Sequence, residues 1–261
     1  MDQIPSIPAF PQDNIPMTGA EWQTRLELAA CYRLMAAFGF HDLTYNHLSA
    51  RIPDAPDRYL IKGEQQLFEQ VTASSLLLYD FSGEKLRPSP YKVSIGGLVI
   101  HGGVMEGRPD IMAVFHTHSP ANMGVSAQSC GLLPISQHSL NFYNRLGYHD
   151  FGGFEFDLEG RKRLLRDLEG YYVMMLRNHG VLACGRTVPE AYVFHFQYEM
   201  ACRAQIAALS AGGLAALHLP PHDVCEFAAK QAAKRGLITA EGRDWPALFA
   251  YAKQIAPDFD S

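Results

Sequence analysis

The chain is poor in cysteine. Its 261 residues contain five, Cys31, Cys130, Cys184, Cys202 and Cys225, an odd number, widely spaced and without a C-x-x-C pair. That pattern excludes a disulfide framework and a thiolate zinc site, and it fits a reducing cytoplasm. Long apolar runs are missing too. No segment approaches the roughly 18 residues a bilayer-spanning helix needs, and the opening "MDQIPSIPAFPQDNIP" has neither the basic start nor the apolar stretch of an export signal. Neither secretion nor membrane insertion is expected. Positive charge is also scarce: a formal charge of -5 and a pI near 6.1 argue against nucleic acid or an anionic membrane as the partner. "GGLVIHGG" and "AGGLAAL" match neither a P-loop nor a dinucleotide fingerprint, and no G-x-S-x-G elbow is present. A small molecule or another protein remains as the partner.

At this length one large domain is expected. Pro5, Pro8, Pro11 and Pro16 predict an extended arm over residues 1–17, followed by a single domain over 18–261. Thr18 with Glu21 three residues later reads as a capping box for a first helix that Gly39 stops. "YNHLSARIP", "RYLIKG" and "SLLLYDFSGEKL" read as short antiparallel strands, with Ser82-Gly83 as a turn. "GGLVIHGGVMEGRP" reads as helical, and "IMAVFHTH" as a strand. Ser119-Pro120 suits the start of a helix through "SPANMGVSAQ". "LEGRKRLLRDLEG" is an amphipathic helix and "YYVMMLRNHGVLACG" a strand pair turning at Asn178 to Gly180. A long helix from Thr187-Pro189 and another at "HDVCEFAAKQAAKRG" follow. The mixture predicts an α/β domain on a mainly antiparallel central sheet.

In a strand, residues two apart project to one face, so His116 and His118 can offer two nitrogens to one ion. Such H-x-H pairs also occur as two satisfied or exposed histidines, so the pair alone decides nothing. The H-x-H of cupin-like metal proteins would be followed by a glutamate, and "SPANMGVSAQ" has no carboxylate. His179 adds a third candidate, because Asn178 and Gly180 imply a tight turn that presents its ring at a strand end. Three neutral imidazoles suit Zn, Mn, Fe or Co and leave a coordination position open. His101, His138, His149 and His195 lie in apolar or aromatic surroundings and read as hydrogen-bonded core histidines, with His138 the one to watch.

The combination of "RPDIMAVFHTHSPANMGVSAQSCGLLPISQH", "LRNHGVLACGRTVPEAYVFHFQ", "NHLSAR" and "LFEQVTASSLLLYD" resembles the class II aldolase/adducin family, over most of Thr18 to about Leu209. The resemblance implies a three-layer α/β/α fold with a central, mainly antiparallel sheet, a homotetramer with sites between subunits, and a divalent ion, zinc first, on His116, His118 and His179. In the sugar-phosphate aldolases and epimerases of the family a glutamate stands nineteen residues before the first histidine of the pair, a count that falls here on Gly97. Glycine can neither take a proton nor bind a cation, so Glu106 or His138 would have to act as acid/base. The family's phosphate-binding turn is altered as well, to "IKGEQQ". That makes a carboxylate or other non-phosphate substrate plausible, with Lys62 as its partner and Thr44, Asn46, His47 and Ser49 as further substrate-side groups. The glutamate's loss aligns the chain with the adducin-like branch, and the retained histidines favour a metal-dependent lyase. Retro-aldol cleavage of a hydroxy-carbonyl compound and decarboxylation of a hydroxy-carboxylate, each through an enolate, both fit. A non-catalytic adducin-like interaction domain with a vestigial metal site is the alternative.

Overall fold

The computed structural model describes residues 15–153 and 158–261, so residues 1–14 of the expected arm lie outside the described residues. Helix α1 (Gly19–Ala37) begins where Thr18 predicts, the Thr18 hydroxyl accepting the Glu21 N–H at 3.0 Å. The expected capping box is only half formed. The Glu21 carboxylate turns inward, accepting from Arg25 Nε at 2.9 Å and Arg87 Nη2 at 2.7 Å. All three side chains are buried, and two guanidiniums attract a carboxylate more strongly than one backbone amide does. Past α1, Gly39 takes the left-handed conformation, φ +69°, that ends the helix.

Strands β1 (His47–Ile52), β2 (Ala55–Ile61) and β3 (Leu77–Asp80) form an antiparallel meander. The chain then runs through α2 (Ile95–Gly97), a π-helical turn (Leu98–Gly102) and α3 (Gly103–Gly107) into β4 (Ala113–Thr117). After α4 (Pro120–Ser126) and α5 (Gln137–Leu140) come β5 (Leu146–His149), α6 (Leu158–Leu168), β6 (Val173–Leu176) and β7 (Gly180–Gly185). The chain closes with α7 (Val188–Ser210), α8 (His222–Thr239) and α9 (Trp245–Ile255). The sheet has seven strands in the order β3-β2-β1-β4-β7-β6-β5. Every pairing is antiparallel except that of β5 with β6. The parallel edge strand was not expected, because four residues between helical segments are too few to show a period.

Strand alternation divides the core into two layers. Leu48, Ala50, Phe115, Val181 and Ala183 face α1, α7 and α9, whereas Tyr59, Ile61, Val114, Leu182 and Cys184 face the α2–α3 rod and α6. This is a three-layer α/β/α sandwich around a mainly antiparallel sheet. Among the described residues no helix is long and apolar enough to cross a membrane.

Replacing Glu21 with alanine removes the carboxylate that lies between two buried guanidiniums, and removing one partner of a buried ion pair costs about 3–5 kcal/mol. Thr18→Ala removes only a cap, about 1 kcal/mol. Urea unfolding of both variants should show Glu21→Ala as clearly the more damaging, and equal losses would contradict the network.

Candidate metal centre

The same alternation that places Phe115 in one core layer turns His116 to the other, opposite His47 in the β1–β4 register and opposite Leu182 in the β4–β7 register. Strand β4 stops at Thr117, so His118 lies just past the strand. Its position is set by Asn46, whose Oδ1 accepts the His118 N–H at 3.1 Å, and by Ser119, the N-cap of α4. His179 arrives from the β6–β7 turn, where Asn178 is left-handed at φ +57°. Next to it, Gly180 packs against the end of β4 so closely that a Cβ would lie 2.3 Å from the Thr117 carbonyl oxygen. Only a residue without a side chain lets β7 approach β4 this far.

Three ring nitrogens converge as a result. Nε2 of His118 lies 2.9 Å from Nε2 of His116 and 3.0 Å from Nε2 of His179. Around a tetrahedral ion with bonds of about 2.1 Å the nitrogens would stand ~3.4 Å apart, so an outward movement of about half an ångström suffices. The tautomers fit as well. His116 Nδ1 donates to the Val181 carbonyl at 3.0 Å, and His118 Nδ1 faces an Asp42 carboxylate oxygen at 3.4 Å. Each leaves an Nε2 lone pair pointing inward, the arrangement in which outer partners orient metal-binding imidazoles. Lone pairs facing one another repel unless a cation lies between them. Burial, together with the neighbouring imidazoles, lowers the pKa of His116 far below the ordinary range and that of His179 to about 4. Burial lowers that of His118 too, against the raising effect of Asp42. The three therefore stay neutral, as ligands must.

A cavity of about 580 Å³ opens over the triad. Thr44 and His47 line it, as do Tyr45, Glu64, Ser94, Ile95, His149 and Phe151. Of the other residues expected on the substrate side, Asn46 and Ser49 are wholly buried supports, Asn46 for the His118 backbone and Ser49 for His101 at 2.5 Å. His101 in turn bonds Nδ1 of His47 at 2.6 Å. Lys62 is corrected from substrate partner to scaffold: it is buried, and its ammonium donates to the carbonyls of Thr44 at 2.9 Å and Gly63 at 3.2 Å. Burial lowers its pKa to about 8.

The two acid/base candidates are also displaced. Glu106, near the end of α3, is exposed on the outer surface and pairs with Arg161 at 3.4 Å. His138 sits half-buried in α5, outside the triad's cavity. His149, read as a core histidine, is the one that reaches the cavity, while His101 and His195 are buried and hydrogen-bonded. Its signal was faint, a lone histidine in "LGYHDFGG" with its partner Asp167 a separate helix away. A larger cleft of about 860 Å³ between α7 and α8 carries no such convergence, and Arg186 and Arg145 beside it are already paired with Glu190 and Glu226.

Two expectations follow from this packing. Gly180→Ala should push β7 off the end of β4 and weaken divalent-ion binding at least ~10-fold, the scale of outer-partner losses at such sites. Titration with zinc against a chelating dye would measure it, and unchanged affinity would contradict the close approach. The second concerns acid. His101 and His195 are fully buried, and burial holds both near pKa 3. Below pH ~6.5 the unfolded chain takes up protons at these sites and the folded one does not. The contribution of these two histidines should be flat above that pH and fall by up to about 1.4 kcal/mol per pH unit for each as pH drops towards the folded values. Urea midpoints in chelator at pH 7 and pH 5.5 would test this.

The comparisons with known proteins agree with the geometry. The profile described as Class II Aldolase and Adducin N-terminal domain matches residues 26–206. A Pseudomonas aeruginosa protein whose name assigns it provisionally to aldolase class 2 is 39% identical over 99% of both chains. Alpha-adducin of Rattus norvegicus is 34% identical over 77% of this chain, a match that spans 28% of the adducin. The crystal structure of an aldolase II superfamily protein from Pseudomonas syringae superposes with a TM-score of 0.90 at 40% identity, covering 94% of this chain and 98% of that one. A histidine triad gathered at the adjoining ends of paired strands β4 and β7, in this three-layer fold and with these relatives, shows that the chain belongs to the class II aldolase and adducin family.

Proposed function

We propose that the protein is a divalent-metal-dependent lyase that cleaves a C–C bond of a small hydroxy-carbonyl or hydroxy-carboxylate substrate. The observation that carries this reading is the convergence of three unprotonated imidazole nitrogens at the floor of a cavity large enough for such a molecule. Zinc is the ion of choice for three neutral imidazoles with an open position, with manganese, iron or cobalt also accommodated. A divalent ion held by His116, His118 and His179 would supply a Lewis acid that draws electron density from a substrate oxygen. The chain's own residues do the rest. Thr44 and His47 offer hydrogen bonds to substrate hydroxyls at the wall, and Ile95, Leu176 and Phe151 provide an apolar lining that limits water.

The site at position 97 favours the decarboxylating form of this chemistry. A Cβ on Gly97 would meet Val93 Cγ2 at 2.8 Å and Ile61 Cδ1 at 3.2 Å, so the space a side chain would leave through is already filled. Loss of CO₂ needs no base to begin it, whereas retro-aldol cleavage needs a group to take the hydroxyl proton. The mouth of the cavity supports assembly with further copies of the chain. Tyr45 is 65% exposed, Ile95 63% and Phe151 48%, an apolar rim that a homotetramer with sites between subunits would cover. The second reading, a non-catalytic adducin-like interaction domain with a vestigial metal site, rests on the kinship with alpha-adducin.

Elemental analysis of purified protein should find about one divalent ion per subunit. A panel of hydroxy-carbonyl and hydroxy-acid compounds should give turnover with native protein and none with His116→Ala. Turnover confined to carboxylates, with release of CO₂, selects decarboxylation. No metal, no turnover and stability unchanged in chelator would select the interaction domain.

A further inference from the structure

Helix α8 lies beyond the segment that matches the family profile, which ends at residue 206, and it is packed on one side only. Cys225 and Ala229 are buried, and Ala228, Ala232 and Gly236 are half-buried, so small residues form the side turned to the domain. The outer side carries large apolar groups in water. Phe227 is 63% exposed and Ile238 77%, and Val224 and Leu219, the latter just before the helix, are exposed as well. Apolar side chains scattered singly over a surface need no partner, whereas a row of them along one helix marks a face that another surface covers. Helices take most of their stability from packing, and one strip of small residues is little for a helix roughly 27 Å long.

The charges on the outer side define what fits there. Asp223, Phe227, Lys230 and Lys234 follow one another at intervals of four, three and four residues, so they share one line along the helix, and all four are exposed. Laid antiparallel against a copy of itself, about a two-fold axis between positions 228 and 229, this line is its own complement. Asp223 meets Lys234 of the second copy, and Phe227 meets Lys230, an aromatic ring against an ammonium. Ile238 reaches the segment just before the other α8, where Leu219 is exposed. The axis repeats every contact, and the positive N-terminal end of each helix lies beside the negative C-terminal end of the other. A parallel pairing would set Asp223 on Asp223 and lysine on lysine, which repel. Other charges on α8 do not interfere. Glu226 lies off the line and is held by Arg145 and Asn144, each at 3.2 Å, and Arg235 is turned to the cleft between α7 and α8.

We propose that the outer side of α8 is a self-association surface on which a second copy of this chain docks its own α8 antiparallel. Whether the triad's cavity holds a metal has no bearing on this surface, which shares no residue with the apolar rim at Tyr45, Ile95 and Phe151. Pairing through α8 doubles whatever unit the rest of the molecule forms. One helix on one helix buries less than the roughly 1,600 Å² of a standard interface, so the pairing depends on concentration.

Sedimentation velocity of the whole chain over a concentration series tests this. The mass of native protein is expected to double as concentration rises, and added salt, which screens Asp223 from Lys234, should weaken the doubling. Phe227→Ser should weaken pairing ~10-fold or more, since it empties the centre of the contact. Asp223→Lys and Lys234→Asp each set like charges opposite one another at two symmetry-related places, and each should weaken pairing about 10-fold. The double variant Asp223→Lys/Lys234→Asp restores opposite charges and should pair as native protein does. These positions are exposed, so thermal midpoints should stay near native in every variant. Equal mass for native protein and Phe227→Ser at every concentration would overturn the proposal and leave the face to a different partner. A double variant that pairs no better than the single ones would overturn the antiparallel arrangement, and the proposal with it.

Discussion

The backbone ladder between β4 and β7 is the constraint on which the rest of the site depends. It runs in register from Ala113 opposite Gly185 to Thr117 opposite Val181, and the close approach at Gly180 extends it one residue further. Two histidines leave from the end of one strand and the third from the start of its partner. Their separation is therefore fixed by main-chain hydrogen bonds, which are short, directional and numerous. Side chains built on a rigid ladder hold their geometry better than side chains on loops.

The reverse face of β4 reinforces that ladder. Thr117, between His116 and His118, turns its hydroxyl away from the cavity to Nε2 of His195 at 2.6 Å, and Asn122 Nδ2 donates to the same oxygen at 3.1 Å. Ser119, immediately beyond His118, donates to the buried Glu199 of α7. These groups lie in an otherwise apolar layer, where each unsatisfied polar atom would be costly. Through these bonds they tie the end of β4 to α4 and α7 at once. The loop carrying His118 cannot rotate without breaking several buried hydrogen bonds.

Much of this was legible in the sequence, and for identifiable reasons. The turn at Asn178–Gly180 announced itself through residues that tolerate a left-handed backbone, and the α4 start through Ser119-Pro120. Both are local signals. The three-layer fold and the histidine triad came from local periods together with a family resemblance. What stayed hidden was decided by contacts distant in sequence. Glu21 looked like a capping residue until Arg87, 66 positions away, claimed its carboxylate. Lys62 looked like a substrate cation because sequence does not show that its ammonium is spent on the Thr44 carbonyl, 18 positions back. His149 passed as a core histidine because Asp167 belongs to another element.

The corrections concerning Lys62 and Gly97 point the same way. With Lys62 turned inward to fix the Thr44 loop and the exit from position 97 filled by Val93 and Ile61, both places where charge was expected near the substrate are structural. What remains on the wall grades from imidazoles at the floor through Thr44 and Ser94 to an apolar mouth at Tyr45, Ile95 and Phe151, with Glu64 and Arg177 as its charged members. A cation on the triad would therefore share the cavity with one carboxylate and one guanidinium of opposite sign. Because Coulomb attraction falls with distance and with solvent exposure, an anionic group on a substrate would be drawn to the ion and to Arg177, and not to the inward-turned Lys62.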